Sequence, residues 1–245
     1  MSRPLPPYRV RAVNTAPDSE NKIHDDRVAA QYGFRGGLVP GITVYGYMTV
    51  PVINYAPQWL ERGSFDVRFI QPTYDGDDVI IRAELNDDAS IHVTAGREDG
   101  TICARVTAGL SSSSQPPPLI PEHVLPADRP APSRDNVIPG APLGTVVATL
   151  DSLDPHDLLL FSNQVLMQNY TLGPWIHARS EITNWSLARV GDTISARGRI
   201  HDRYDSKGHE FLVADITLET NGRLLQTVRH TAIYKLSPNR AATGR

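Results

Sequence analysis

The sequence has almost no cysteine, no long apolar run and little net charge. Cys103 is the only cysteine among 245 residues, which excludes an intrachain disulfide and a cluster of thiolate metal ligands. The formal net charge of −3 gives no electrostatic basis for nucleic acid or an anionic membrane as the main partner. No apolar stretch approaches the length that spans a bilayer. We therefore expect neither a nucleic-acid-binding protein nor a membrane protein.

The first residues and the overall composition agree with that expectation. Residues 1–7 lack the apolar core of a secretory signal. A hydrophobic fraction of 40% and a charged fraction of 21% are ordinary for a globular protein. Together with the single cysteine, these features predict a cytoplasmic protein. No residue spacing predicts a metal site or a bound cofactor.

What the sequence does contain is a repeat of itself at an offset of 115 residues. Pro40 aligns with Pro155, Tyr55 with Tyr170, and the pair at 76–77 with the pair at 191–192, which are both Gly-Asp. Such a repeat determines the architecture. Only the first copy is preceded by a polar segment, at 18–26, which leads through several glycines to Pro40. A duplicated scaffold with one elaborated segment predicts one site per chain.

Both copies show the same predicted order of elements. The stretches 41–55 and 156–170 are apolar nearly all round, which predicts two long helices buried on most sides. Asp25 or Asp26 is placed to cap a shorter helix before Val28. Strand-like runs separated by turn residues follow each long helix. They cover 64–70, 78–85, 90–95 and 101–107 in the first copy, and 178–185, 192–200, 211–219 and 224–234 in the second.

The segment between the copies, 111–142, is rich in serine and proline and predicts an extended tether. The domain organisation is then an N-terminal repeat at 1–110, a degenerate C-terminal repeat at 143–237, and a tail at 238–245. Because the long helices have no polar face, a sheet has to enclose each of them. This predicts an α+β protein that resembles the hotdog fold. Two tandem copies resemble a double hotdog, in which two sheets pair edge to edge as in the usual homodimer.

The segment 21–24, Asn-Lys-Ile-His, followed by 38–43, resembles the MaoC-like dehydratase family, which includes the (R)-specific enoyl-CoA hydratases. The pattern of that family is Gly-Asp-x-Asn-Pro-x-His, with His-Gly following at the start of the hotdog helix. Asn21, His24 and Gly41 match it, and 69–77 is similar to the family's strand and Gly-Asp turn. Three positions differ from the pattern: Ser19 stands in place of the catalytic aspartate, Lys22 in place of the proline, and Pro40 in place of the histidine.

The resemblance implies a lyase of fatty acid metabolism that hydrates an enoyl-CoA or dehydrates a 3-hydroxyacyl-CoA, or the same groups on a carrier protein. His24 is the expected general acid/base, because its ordinary pKa lies near working pH. Asn21 orients the thioester or a water. Asp18 supplies the missing carboxylate from the neighbouring position. Glu20, Asp25 and Asp26 are the alternatives for that carboxylate, and His24 beside two aspartates is also compatible with a solvated helix start.

Substrate binding is expected at the start of the first long helix. Gly41 has no side chain, so a carbonyl oxygen can approach its N–H, an arrangement typical of an oxyanion hole. Ser19, Thr43 and Tyr45 are further candidates for substrate contact, although Thr43 and Tyr45 also suit helix packing. The second copy is expected to form a wall of this cleft, because its own stretch at 144–154 is too short for a second site.

Two other functions remain open from the sequence. An acyl-CoA thioesterase would need a carboxylate near the second helix, for which Asp154 and Asp157 are the candidates. A non-catalytic acyl-binding partner subunit is favoured by Ser19. In each case we expect a pseudodimer within one chain, and association into a homodimer is compatible with it.

Overall fold

The computed structural model describes residues 2–111 and 115–237, and these form one long antiparallel sheet around two central helices. The serines predicted in the tether at 112–114 and the predicted tail at 238–245 lie outside the described residues. The helices are α1 (Asp26–Gln31), α2 (Gly41–Tyr55), α3 (Trp59–Arg62) and α4 (Pro155–Asn169). The strands are β1 (Arg3–Pro4), β2 (Tyr8–Arg11), β3 (Gly63–Phe69), β4 (Asp78–Leu85), β5 (Ile91–Gly96), β6 (Ile102–Leu110), β7 (Pro142–Thr149), β8 (Ile176–Asn184), β9 (Thr193–Ser206), β10 (His209–Thr220) and β11 (Arg223–Lys235).

The sheet has two halves that meet at the pair β3–β8. Its order is β1-β4-β5-β6-β3 followed by β8-β11-β10-β9-β7, and β2 also pairs with β4. At the junction Val67 lies opposite Ser180. Arg179 donates two hydrogen bonds of 2.8 Å to Asp66 across it. The two repeats therefore pair as the halves of a pseudodimer, and the predicted α+β double hotdog fold is confirmed.

The two long helices lie where the apolar stretches predicted them. Tyr45, Met48 and Val52 in α2 and Val165 and Leu166 in α4 are fully buried against the concave face of the sheet. Each such side chain contributes about 1.5–3 kcal/mol by leaving water, so enclosure by the sheet stabilises helices that have little polar surface. Among the described residues, no helix is both long and apolar enough to cross a membrane.

A proline inside α2 creates a link to the first half of the sheet. Pro51 has no N–H, so the carbonyl of Tyr47, one turn earlier, lacks its helical donor. The hydroxyl of Tyr8 on β2 donates to that carbonyl instead. Burial and the nearby Tyr47 hydroxyl raise the pKa of Tyr8, so it remains a donor at all physiological pH values.

The repeated Gly-Asp pairs form matching turns in both halves. Gly76 and Gly191 have φ of +73° and +88°, a conformation that disfavours any side chain. Asp77 accepts a hydrogen bond of 3.0 Å from the Tyr74 N–H, and Asp192 accepts one of 2.9 Å from the Arg189 N–H. The repeat seen in the sequence is thus a repeat of local geometry.

The described part of the segment between the copies, 115–141, contains no helix or strand and lies against the second half. Gly144 permits this packing, because a Cβ there would come within 2.5 Å of the Leu125 Cα. Arg129 donates a hydrogen bond of 2.7 Å to the Met167 carbonyl of α4. It also forms an ion pair of 3.0 Å with Glu20. The segment therefore connects α4 with the polar segment of the first repeat.

Candidate active site

The polar segment before α2 is held in place by its backbone. A 3₁₀ turn, Lys22–His24, is capped by Asn21, and the Leu38 N–H donates to the Ile23 carbonyl at 3.1 Å. A side chain on Gly37 would fall 2.1 Å from the His24 carbonyl oxygen, so only glycine allows this contact. The segment carrying His24 is therefore packed directly against Gly37 and Leu38, which lead into α2.

Two of the nearby carboxylates have structural roles. Asp25 caps α1, as predicted, because its side chain accepts hydrogen bonds of 2.9 Å from the Arg27 and Val28 N–H groups. Asp26 accepts one of 2.7 Å from the Gly37 N–H. Both groups hold the segment in its observed conformation.

His24 is fixed in one tautomer by the backbone. Its Nδ1 lies 2.6 Å from the Leu38 carbonyl oxygen, and a carbonyl only accepts, so Nδ1 carries the proton. Nε2 therefore has a lone pair, and it lies 3.3 Å from Asn21 Nδ2. Burial lowers the pKa of His24, and the hydrogen bond to Leu38 opposes this shift in part. At neutral pH the ring is an uncharged base.

Asn21 connects this histidine to the second repeat. Its Nδ2 donates to the Trp175 carbonyl at 3.0 Å, and its Oδ1 accepts from the Trp175 N–H at 3.1 Å. The amide thus pairs with both polar groups of one residue, as a neighbouring strand would. Because Asn21 is also buried, this pairing fixes the distance between His24 and the second half of the molecule.

The N-terminus of α2 opens beside these groups. The Thr43 and Val44 N–H groups bond to the Pro40 carbonyl. Neither the Gly41 nor the Ile42 N–H has a partner among the described residues. Open N–H groups at the positive end of a helix bind an anion or a carbonyl oxygen.

Two adjoining cavities meet at these residues. The first, about 340 Å³, is mostly apolar, and the described residues that line it include no carboxylate and no lysine or arginine. The second, about 650 Å³, runs between α2 and α4. The residues that line both cavities are Asn21, His24, Pro40, Asn163 and Trp175.

The structure separates the predicted site residues into three groups. Asn21, His24 and Gly41 line the first cavity, whereas Ser19 and Thr43 line the second. Asp18 is exposed and lines neither cavity, so the expectation that it stands beside His24 is not met. The expected substrate contact of Tyr45 is wrong, because its side chain is fully buried against Phe65 at a ring separation of 5.0 Å.

The lining residues that the second repeat contributes were not found from the sequence, and Trp175, His177 and Asn163 are among them. Trp175 and His177 lie just before and within β8, and Asn163 lies on α4. Their presence was implied only in general by the expectation that the second copy forms a wall. The pairing of β3 with β8 brings them to the first helix, and no local pattern in the sequence identifies that register.

One cluster of described side chains has the spacing of a cation site. Ligating atoms of Asp154, His156 and Asp157 all lie within 4.8 Å of one another. Ser152 donates a hydrogen bond to Asp157, and Asp154 is exposed. Carboxylates at the start of a helix stabilise its positive end without any metal, which accounts for this group.

No protein-family model matches the sequence, and no curated protein sequence matches it. Solved structures do. A protein described as a MaoC domain dehydratase from Chloroflexus aurantiacus has 10% identity and a TM-score of 0.66, covering 97% of this chain and 95% of that one. A conserved Mycobacterium tuberculosis protein with a double hotdog fold has 16% identity, a TM-score of 0.60, and coverages of 92% and 93%. A protein described as an oleoyl thioesterase from Lactobacillus plantarum has 10% identity, a TM-score of 0.58, and coverages of 95% and 96%.

These likenesses establish the fold. The chain has a double hotdog architecture over nearly its whole length. The matching structures include proteins described as dehydratases and as thioesterases. One scaffold hosts several activities, so the choice between them depends on the residues of the site.

Proposed function

We propose that this protein is a hydratase or dehydratase of acyl thioesters that uses His24 as its single acid/base. The observation that carries the proposal is the arrangement in the first cavity, where the neutral His24 ring and the open N-terminus of α2 line the same space. A basic nitrogen and an oxyanion site are the two groups needed to remove a proton next to a thioester carbonyl.

In the dehydration direction, His24 Nε2 takes the proton from C2 of a 3-hydroxyacyl thioester. The electron pair moves onto the carbonyl oxygen, where the Gly41 N–H stabilises the charge. As the pair returns, the bond from C3 to the hydroxyl oxygen breaks. The proton on Nε2 passes to the leaving hydroxide, which gives one water, a 2-enoyl thioester and the neutral histidine. Hydration is the reverse.

This mechanism needs no carboxylate. No aspartate or glutamate is among the described residues that line the first cavity, and Ser19 Oγ donates to the Asn21 carbonyl at 3.2 Å instead of facing His24. A catalytic aspartate is unnecessary for orienting the imidazole, because the Leu38 carbonyl already fixes its tautomer. Asn21 Nδ2, next to His24 Nε2, is placed to orient the water or hydroxyl group.

The test is the hydration of trans-2-butenoyl-CoA and trans-2-octenoyl-CoA, followed by the loss of enoyl absorbance. We expect His24→Ala to lower kcat by about 10²-fold or more, the loss typical of a general acid/base. His92→Ala is the matched control, since His92 is exposed on β5 and lines neither cavity. Equal rates for His24→Ala and the wild type would overturn the proposal.

A thioesterase is the second candidate, and one observation favours it. Asp157 and His156 line the second cavity together with His24, which places a carboxylate near the second helix as that reaction needs. A free-thiol assay on the same substrates decides between the two. Thiol release without loss of the enoyl group, and its loss in Asp157→Asn, would identify a thioesterase.

A further inference from the structure

Two histidines besides His24 line the first cavity, His177 and His209, and the proposed mechanism gives neither of them a role. His177 lies on β8 and is 6% exposed. Its ring packs between Phe69, at 4.7 Å, and His230, at 4.3 Å. Its Nδ1 has no hydrogen-bond partner among the described residues. A buried polar atom without a partner costs free energy unless a ligand supplies one.

That nitrogen lies close to the start of α2. A Cβ on Gly41 would lie 3.2 Å from His177 Nδ1, so the space left by the missing side chain separates the imidazole from the helix end. His177 of the second repeat and Gly41 of the first are therefore neighbours in the wall of the first cavity.

The other nitrogen of His177 belongs to a buried chain of polar groups. His177 Nε2 lies 2.8 Å from Ser180 Oγ, which lies 3.0 Å from His230 Nδ1. The serine has one proton, so it can donate to only one of the two rings. When His230 donates to Ser180 and the serine donates to His177 Nε2, the His177 proton is on Nδ1, the nitrogen nearest Gly41.

We propose that His177 Nδ1–H donates a hydrogen bond to the thioester carbonyl oxygen of the substrate, and with the Gly41 N–H forms a two-donor oxyanion site. One donor comes from each repeat. The inference rests on the proposed function, because it assigns a group to the carbonyl of the same acyl thioester. His177 is then a catalytic residue, and Ser180 and His230 are positioning residues that select the donor tautomer.

An uncharged donor suits this cavity. Burial and the nearby His230 hold the pKa of His177 well below its ordinary value, and burial lowers the pKa of His230 to about 3. Both rings are therefore neutral at physiological pH. No described carboxylate lines the cavity to pair with an imidazolium, whereas a neutral N–H donates without introducing a buried charge.

Two variants of His177 separate catalysis from packing. Asparagine places its Nδ2 near the position of the imidazole Nδ1 and loses the contact with Ser180. Glutamine reaches toward Ser180 and leaves the cavity position empty. We expect His177→Gln to lower kcat for trans-2-butenoyl-CoA hydration by about 10²- to 10³-fold, as for the loss of one oxyanion donor. His177→Asn should stay within about tenfold of the wild type, and a purely structural role predicts the reverse order.

A spectroscopic measurement on bound substrate, which requires no turnover, tests this inference separately from the proposed function. The infrared carbonyl band of labelled trans-2-butenoyl-CoA, bound to His24→Ala, should shift to lower frequency. Adding His177→Gln should remove most of the shift, and adding His177→Asn should retain it. A shift that depends on His177 in a protein without hydratase activity would overturn the proposed function alone. Normal turnover in His177→Gln, or the reverse order of the two variants, would overturn this inference alone. Absence of thioester binding would overturn both.

Discussion

The N-termini of the two central helices are equivalent in the repeat but opposite in electrostatic character. The first turn of α2 contains no acidic residue, and Gly41 at its start lines the first cavity. The first turn of α4 contains Asp157, and Asp154 directly precedes it. Carboxylates at that position offset the positive end of the helix dipole. The same scaffold thus has one open helix end that can stabilise an oxyanion and one that its own side chains neutralise.

The connections that lead into α2 and α4 differ in length. The chain runs from Arg11 to Gly41 between β2 and α2, but only from Thr149 to Pro155 between β7 and α4. The long connection has room for the 3₁₀ turn that carries His24, whereas the short one has none. A base and an open helix end therefore occur together at one helix, which is why we expect one site per chain.

Adding a side chain at Gly41, at the open end of α2, should have the largest effect on kcat. In Gly41→Ala the new methyl group would lie 3.2 Å from His177 Nδ1 and from the Phe69 ring. It would crowd the cavity wall beside the Gly41 N–H and hinder the approach of the carbonyl oxygen, so we expect kcat to fall by about 10²- to 10³-fold. Gly109→Ala is the matched control, because its nearest contact is Ser64 Oγ at 3.7 Å. A change below about threefold in Gly41→Ala would contradict the assignment of this helix end.

Asn21→Ala tests whether the hydrogen bonds to Trp175 hold the connection between β2 and α2 against the second repeat. The variant leaves both polar groups of Trp175 without their partner, and buried unsatisfied groups cost about 1–3 kcal/mol. We expect the free energy of unfolding, measured in urea, to fall by that amount. Lys22→Ala, an exposed neighbour in the same turn, is the comparison and should leave it nearly unchanged. Equal stability of the two variants would show that the pairing with Trp175 does not anchor the segment.

Lowering the pH should decrease the stability of the folded protein through the histidines around α2. The pKa values of His24, His177 and His230 are lowered in the folded state, so below about pH 6.5 the unfolded chain binds protons that the folded chain does not. Stability is then complete above that pH and falls by about 1.4 kcal/mol per pH unit for each such residue as pH falls further. His230→Asn should make the dependence on pH shallower, measured by urea unfolding between pH 8 and pH 5. An unchanged slope would contradict this account.

Making α2 resemble α4 should have the smallest effect on the fold. Pro40→Asp introduces a carboxylate at the helix start, where capping and the helix dipole favour it by about 0.5–1 kcal/mol. Pro40 is buried, and desolvation of the new charge opposes that gain, so stability should change little. The same carboxylate would compete with the substrate oxygen, so hydration should slow. Pro40→Ala is the control without charge. A Pro40→Asp variant that is as active as Pro40→Ala would show that the open helix end is not used.

The fold was predictable because its signals are local and occur twice. The apolar runs at 41–55 and 156–170 and the Gly-Asp turns each reflect a local requirement for burial or backbone conformation. The lining of the candidate site was predictable only on the side of the first repeat. The spacing of one motif pointed to Asn21, His24 and Gly41, which line the first cavity, whereas His177 reaches it through the pairing of β3 with β8. Tyr45 was misassigned because helical spacing does not distinguish a cavity wall from the core.

The hydrogen bonds between Asn21 and Trp175 join residues 154 positions apart in the chain. A gene interrupted within the segment between the copies would still encode Asn21, His24 and Gly41. Its product would lack Trp175 and His177, and with them one wall of the first cavity. We expect null alleles to be distributed over the whole reading frame, including the half without His24. Complementation would then require both halves of the gene in the same cell.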